Sequence, residues 1–304
     1  MDRKKMFFTV IMPVFNKENH LVRSIESVLK QSFADFELLI IDDASKDNSV
    51  HIINSFTDPR IKVFKRETPG AGGYAARNLG IEKASTNWIC FLDADDEYKY
   101  NHLAKLYDAI IDYNAISVFG TSFEIADQKG VRKNRYYLKT KTSQEIDFNE
   151  FLINKPFHTN TICIQRDLLM DAGLFPGAEF KRGGDTDTWL RVMHIAQKAF
   201  FIRAITSTYY RDSENMVTKT TKLDVSNHPL YFSCKDLLSK YDDLRTRNNL
   251  KRHWNNSALP YFKNIAKKRT IKLNELQYFY WYNFKYSKKV VFYFIYSLKH
   301  FFSV

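Results

Sequence analysis

Five acidic residues stand in two short clusters, each behind an apolar run. Asp42-Asp43 follows Leu38-Leu39-Ile40-Ile41, and Asp93-Ala94-Asp95-Asp96 follows Trp88-Ile89-Cys90-Phe91-Leu92. Carboxylates gathered in such numbers repel one another unless a cation or a donor-rich ligand sits among them. Asp93 and Asp95, with Asp96 behind them, offer two or three hard oxygen ligands. Mg2+ or Mn2+ is ordinarily held by one or two carboxylates together with the phosphates of a substrate. Such an ion would neutralise charge building on a diphosphate leaving group, so the ligand implied is a nucleoside diphosphate. The plainer reading is that acids after strands cap the helices that follow; it suits any one of the five better than all of them together.

Those acids act together only if the elements in front of them lie side by side. Phe8-Thr9-Val10-Ile11-Met12, stopped at Pro13, is a continuous apolar run of the kind buried on both faces of a parallel sheet. Leu21, Val22, Ile25, Val28 and Leu29 then recur at helical spacing. The strand signature returns at Leu38 to Ile41, with Ser45 placed to cap a helix carrying Val50, Ile53 and Phe56. It returns again at Ile61 to Phe64 and at Trp88 to Leu92, separated by a flexible Gly70 to Gly73 loop and a helix from Tyr74 to Ala84. This alternation predicts an α/β fold with a parallel, open sheet and helices on both faces. Ligands of such sheets bind beyond the carboxyl ends of the strands, which places Pro13 to Asn16 and both acidic clusters on one rim. Further along come a helix near His102 to Tyr113, a strand-like Ile116 to Ile125 and an irregular stretch from Asp127 to Phe157. Thr159 to Gln165 alternates like a strand, Arg166 to Ala172 like a short helix, and Trp189, Leu190, Val192, Met193 and Ile195 have helical spacing.

Four segments taken in order resemble the motif set of glycosyltransferase family 2, the inverting enzymes of the GT-A fold, in its bacterial polysaccharide and O-antigen form. They are Phe8 to Asn16, Leu39 to Ser45, Ala76-Arg77-Asn78-Leu79-Gly80-Ile81, and Phe91 to Asp96. The resemblance covers roughly residues 7 to 220. It implies that Pro13 and Phe15 flank the base and ribose of a nucleotide sugar, and that Glu18 reaches the same nucleotide or is simply a solvated helix-start acid. It further implies that Asp43 accepts from the uracil while Asp42 orders its loop, and that Arg77 faces the diphosphate, a solvated surface arginine being the alternative. Asp93 would touch the ribose and Asp95 the metal. Members of the family carry a Glu-Asp pair before a helix, whose aspartate takes the proton from the acceptor hydroxyl. The matching stretch here is Gly184-Asp185, so Asp185 is the candidate base, an N-cap is its plainer role, and Asp187 is the alternative base. Gly184 departs from the family's glutamate. Thr208-Tyr209-Tyr210-Arg211 with Asn215-Met216-Val217-Thr218 is similar to the loop that closes over the diphosphate, which makes Arg211 a phosphate contact or a solvated charge.

What the resemblance implies in sum is a metal-dependent inverting transferase using Mn2+ or Mg2+. It would move a hexose, glucose in first place, from a UDP-sugar donor to a lipid-linked saccharide acceptor on polyprenyl diphosphate. The β-linked product would serve cell-surface polysaccharide or lipopolysaccharide O-antigen synthesis. The enzyme would be cytoplasmic, peripheral on the inner face of the cell membrane.

Composition bounds these readings. The chain has 304 residues, 44% hydrophobic and 26% charged, which excludes a disordered chain and a multi-span membrane protein. Cys90, Cys163 and Cys234 are too few and too scattered for a disulfide framework or a paired metal knuckle. Met1 to Phe15 places lysines ahead of an apolar run as a signal peptide does, but Pro13 interrupts it and no small-residue cleavage site follows. The net charge of +12 is entirely C-terminal: residues 245 to 304 carry 13 Lys and Arg against the single acid Glu275. Aromatics from Tyr278 to Phe302 interleave with that charge. This pairing suits peripheral contact with an anionic inner-membrane surface through residues 245–304. It suits single-stranded nucleic acid equally, and aromatics also suit a helical subdomain packed on the body or on a second subunit of an oligomer. A nucleic-acid-binding protein with the α/β body as scaffold is therefore the competing reading, opposed by the neutral body and the acidic rim; the enzyme reading takes no nucleic acid as partner. A nicotinamide dehydrogenase is excluded because the Gly70-Ala71-Gly72-Gly73 run follows the third strand rather than the first. The expected organisation is a catalytic domain over 1–240, with a nucleotide-binding half 1–114 and an acceptor-binding half 115–240, followed by a basic aromatic helical tail over 241–304.

Overall fold

The computed structural model describes residues 6–134, 136, 139–211, 224–281 and 284–300. The chain divides into two compact units, Met1–Thr220 and Thr221–Val304.

In the first unit the apolar runs become strands β1 (Phe8–Val14), β2 (Phe36–Asp42), β3 (Ile61–Lys65) and β4 (Trp88–Phe91), adjacent in the order β3-β2-β1-β4 and mutually parallel. Helices α1 (Leu21–Leu29), α2 (Ser49–Asn54) and α3 (Tyr74–Lys83) connect them. The pleat sorts the side chains by parity. Val10, Met12, Leu38 and Ile40 join Leu21, Ile25 and Val28 of α1 and Ile53 of α2 in one core cluster. On the opposite face Ile11 meets α3, so closely that a Cβ on Gly80 would come within 2.5 Å of the Ile11 side chain. That approach is why a glycine stands at this helical position.

The rest of the sheet is mixed. After β5 (Glu97–Tyr98), α4 (His102–Asp112), β6 (Val118–Asp127), β7 (Gly130–Lys133), β8 (Gln144–Asp147) and α5 (Phe148–Asn154) comes β9 (Ile162–Gln165), antiparallel to both β4 and β6. Then follow α6 (Arg166–Asp171), α7 (Gly184–Ala196) and β10 (Lys198–Tyr210), which runs parallel to β6. The main path reads β3-β2-β1-β4-β9-β6-β10-β5. The expected α/β fold of an open, mostly parallel sheet is thus borne out as a mixed sheet, parallel through its first four strands; the antiparallel direction of β9 was not legible, because an apolar run signals burial and not direction. The stretch expected to be irregular, Asp127 to Phe157, holds β7, β8 and α5, the last capped by Asp147, which accepts from the Glu150 N–H at 2.6 Å. Ser45 does not cap α2: that helix begins at Ser49 behind Asn48, and Ser45 Oγ accepts instead from the Asn16 N–H at 3.1 Å, joining two strand-end loops. The loop expected to be flexible at Gly70 to Gly73 closes in one 3-10 turn, with Gly72 and Gly73 at φ of 61° and 70°, the left-handed region that glycine alone enters without cost.

The second unit is helical: α8 (Pro229–Lys240), α9 (Leu244–Ala266) and α10 (Phe284–Ser297). It begins about one helix before the composition change near residue 241, since His228 and Tyr231 at the start of α8 pack their rings on Trp254 of α9. Trp254 is fully buried and donates Nε1–H to the Tyr278 carbonyl. Asp243 caps α9 by accepting from the Thr246 N–H at 2.7 Å.

Candidate active site

The carboxyl ends of β1, β2 and β4 form one rim, and each rim acid has a partner supplied by the protein. Asp42 accepts from the Ser45 N–H at 3.2 Å and orders its loop. Asp43, almost fully buried, pairs through Oδ1 with Arg66 and accepts through Oδ2 from the Gly70 N–H at 2.9 Å. Arg77 pairs with Asp93 and donates from Nη1 to the Gly72 carbonyl at 2.9 Å. Its side chain is only 9% exposed, so it is no solvated surface arginine. Lys17 places Nζ 2.6 Å from Asp95 Oδ2, and Arg23 donates from Nη2 to the Asp95 carbonyl. Pro13 lies in β1 opposite Ile41, and Phe15, just past the strand, is 42% exposed at the rim. Glu18 accepts from the Asn48 N–H at 2.8 Å, so this acid caps α2 across the loop rather than only opening its own helix.

The cations offset the expected repulsion only in part. Asp96 is completely buried, and its carboxyl is held well above the usual range, first by desolvation and then by the charges of Asp95 and Asp93. The ammonium seated on Asp95 shows that this carboxylate already accepts a cation. One or two carboxylates suffice for Mg2+ or Mn2+ when substrate phosphates complete the shell, so Asp95, with Asp93 beside it, fits a divalent ion that displaces Lys17. Among the described residues no three His, Cys, Asp or Glu side chains form a closed metal cage.

The opposite wall carries Asp185 in the first turn of α7, behind Gly183 as the N-cap residue. Asp185 is therefore not the N-cap. Among the described residues its carboxylate has no hydrogen-bond or ion-pair partner, unlike the rim acids. Its neighbour Asp187, the alternative base, is 2% exposed and bound by Arg191 from Nε and Nη2 at 3.0 and 2.8 Å, commitments that Asp185 does not carry. Arg211 donates its N–H to the Ala126 carbonyl and its side chain is exposed; Asn215 to Thr218 lie outside the described residues.

Helix α3 joins the two walls, which gives each residue of its motif a task. Arg77 holds Asp93. Asn78 exchanges two hydrogen bonds with the Phe175 backbone, at 2.9 and 3.0 Å, pinning the loop that leads into α7. Tyr74 Oη accepts from the Gly184 N–H at 2.9 Å, and its phenol is pushed up to about 12 by burial and then by the Asp185 charge. The same ring explains the departure at residue 184. A Cβ there would lie 2.6 Å from the Tyr74 ring and 2.8 Å from Pro176, so Tyr74 fills the space a glutamate would need. Gly184→Glu is expected to cost about 1–3 kcal/mol by overpacking, seen as a lower melting temperature, with much of it recovered when Tyr74→Ala is added. An unchanged melt in the single variant would contradict this packing.

Two residues that sequence reading passed over complete the site. Asn160, buried between the walls, accepts through Oδ1 from the Asp93 N–H at 2.9 Å and donates through Nδ2 to Asp96, whose other oxygen accepts from the Tyr210 N–H at 2.8 Å. It fixes the acidic turn in place. His158, with Nδ1 accepting from the Asn160 N–H, packs its ring at a tilt against Phe123 and Tyr209. Burial lowers its pKa, while the charges of Asp93 and then Asp185 act the other way; one imidazole thus feels both walls. Asn160→Ala strands a buried carboxylate oxygen and a buried N–H. It is expected to cost about 1–3 kcal/mol, read by chemical denaturation, with a raised KM for the nucleotide sugar.

A parallel β3-β2-β1-β4 core with a partnered acidic turn at its carboxyl rim and a mixed second half defines the GT-A class of nucleotide-sugar transferase. The model of the family described as glycosyl transferase family 2 matches residues 9–173, and the chain belongs to that family, in its bacterial polysaccharide form. It is a glycosyltransferase. An uncharacterised glycosyltransferase of Haemophilus influenzae is 37% identical over 161 residues, 52% of this chain and 62% of that protein. The Escherichia coli enzyme WfgD, a UDP-Glc:alpha-D-GlcNAc-diphosphoundecaprenol beta-1,3-glucosyltransferase, is 34% identical over 186 residues, 61% of this chain and 69% of that one. The chain thus spans under two thirds of the first relative and slightly more of the second. Staphylococcus aureus TarS, solved with UDP-GlcNAc, has the same fold with a TM-score of 0.72, covering 90% of this chain and 78% of that structure at 20% identity.

Proposed function

We propose that this enzyme transfers a hexose, glucose in first place, from a UDP-sugar to a lipid-linked saccharide on polyprenyl diphosphate, with inversion to a β-linkage, in surface polysaccharide or O-antigen assembly. The observation that carries the reading is the pair of walls joined by α3: partnered acids on the strand rim and, on the α7 side that Tyr74 and Asn78 tie to it, Asp185 without a hydrogen-bond or ion-pair partner among the described residues. The donor and acceptor proposed are those printed in WfgD's name, and a lipid-linked acceptor of that kind supports work at the inner face of the cell membrane.

Asp185 is the general base. Its carboxylate, in the first turn of α7, takes the proton of the acceptor hydroxyl as that oxygen attacks the anomeric carbon. One displacement inverts the centre. Pro13 and Phe15 flank the nucleoside, Asp43 accepts from the uracil, Asp93 holds the ribose, Arg77 orients the diphosphate side, and Glu18 shapes the loop beside the nucleotide. Asp95 would hold Mn2+ or Mg2+, which when bound would supply electrostatic stabilisation of the departing diphosphate. The test is UDP release across a panel of UDP-sugars with a GlcNAc-diphosphate-lipid analogue, with and without EDTA. Release from UDP-glucose that needs both acceptor and metal is expected; release from no member of the panel would overturn the reading.

A further inference from the structure

In the second unit, α10 has two unlike faces. Val290 and Ser297 are fully buried, and Ser297 Oγ accepts from the Ile271 N–H at 3.0 Å while its carbonyl accepts from Thr270. On the other side Lys288, Phe292 and Ile295 are all exposed, at spacings of four and three residues, which is one stripe along the helix, and Lys299 is exposed in the 3-10 turn that follows, Leu298–His300, where its ammonium donates to Tyr296 Oη at 2.7 Å. Phe292 and Ile295 are 61% and 60% exposed, and Val291 and Tyr296 widen the apolar strip at 43% each. Lysines stand at both of its ends, with Lys289 beside Lys288.

We propose that this face of α10 seats on an anionic phospholipid surface, with Phe292 and Ile295 entering the boundary between headgroups and acyl chains and the three lysines pairing with lipid phosphates. Charge selects this occupant. Glu275 is the one acid between residues 245 and 304, and it is engaged by Arg269 and Tyr261. A second copy laid on the same face would bring the lysines against their own counterparts, and like charges in register oppose association. An anionic bilayer offers apolar depth and negative charge together. No described helix is long and apolar enough to cross a membrane, so α10 would lie in the interface plane. The proposal rests on the second unit alone and is independent of the catalytic reading.

The test is co-sedimentation of the full chain with phosphatidylcholine vesicles, with and without phosphatidylglycerol. Wild type is expected to prefer the anionic vesicles by at least about tenfold. Phe292→Ser with Ile295→Ser should lose about tenfold or more of that binding, since each removes a large apolar contact. Lys288→Gln with Lys289→Gln should lose about fivefold per lysine on anionic vesicles and nothing on neutral ones. All these side chains are exposed, so melting temperature and UDP affinity should match wild type. Equal binding to both vesicle types would overturn the proposal. So would unchanged binding in the serine variant, or a wild-type dimer in analytical ultracentrifugation that this variant alone dissociates, which would assign the face to self-association. A failure to bind UDP would strike the catalytic reading and leave this one standing.

Discussion

Asp185→Asn is expected to lower transfer by about a hundred- to ten-thousandfold, the range for removing a general base, while UDP affinity stays within about twofold because the change keeps the volume and removes only the basic oxygen. The rim acids are committed to Arg66, Arg77, Lys17 and Asn160, and Asp187 is committed to Arg191. Asp185 has no such partner among the described residues, so neither fold nor nucleotide site should register its loss. Steady-state kinetics should show kcat falling with little change in the donor KM. Near-normal turnover would move the base elsewhere, and a parallel loss of UDP binding would show that Asp185 belongs to the donor wall.

Asp95→Asn has the second largest expected effect. The variant keeps a hydrogen-bonding group beside Lys17 but removes the charge proposed to hold a divalent ion. Metal stabilisation of a leaving diphosphate is worth several kcal/mol, so turnover should fall by more than about a hundredfold. Added Mn2+ should then no longer tighten UDP. Lys17 gives the contrast: Lys17→Met removes the ammonium 2.6 Å from Asp95 and should raise Mn2+ affinity in the absence of nucleotide, followed by electron paramagnetic resonance of free Mn2+. Weaker Mn2+ binding in that variant would mean the lysine does not compete for the site.

The strands of the donor half were legible because runs such as Val10 to Met12 and Leu38 to Ile41 are buried on both faces, a pattern that few other elements share. The acids of the rim were legible because they end those runs. Direction at β9 was not, since burial is blind to polarity. Arg77 left a solvated arginine as the alternative, and only the approach of Asp93 and the Gly72 carbonyl decides that it is held at the rim. Asn78 and Asn160 left no periodic trace because their partners are 97 and 67 residues away in the chain. The signal was there in a weaker form: an asparagine kept beside an arginine on a helix, and a Thr-Asn-Thr turn just before a buried strand, are polar residues in places that packing alone would fill with apolar ones. Gly184 shows the converse. A missing glutamate reads as a lost function, whereas the structure shows its volume taken by Tyr74.

Isothermal calorimetry of UDP binding, in Mn2+ and then in EDTA, bears most directly on the shared role of Asp95 and the strand rim. Binding at least about tenfold tighter with the metal, with the gain erased in Asp95→Asn, is the expected result. Wild-type protein that gives no heat with UDP in the presence of Mn2+ would contradict it.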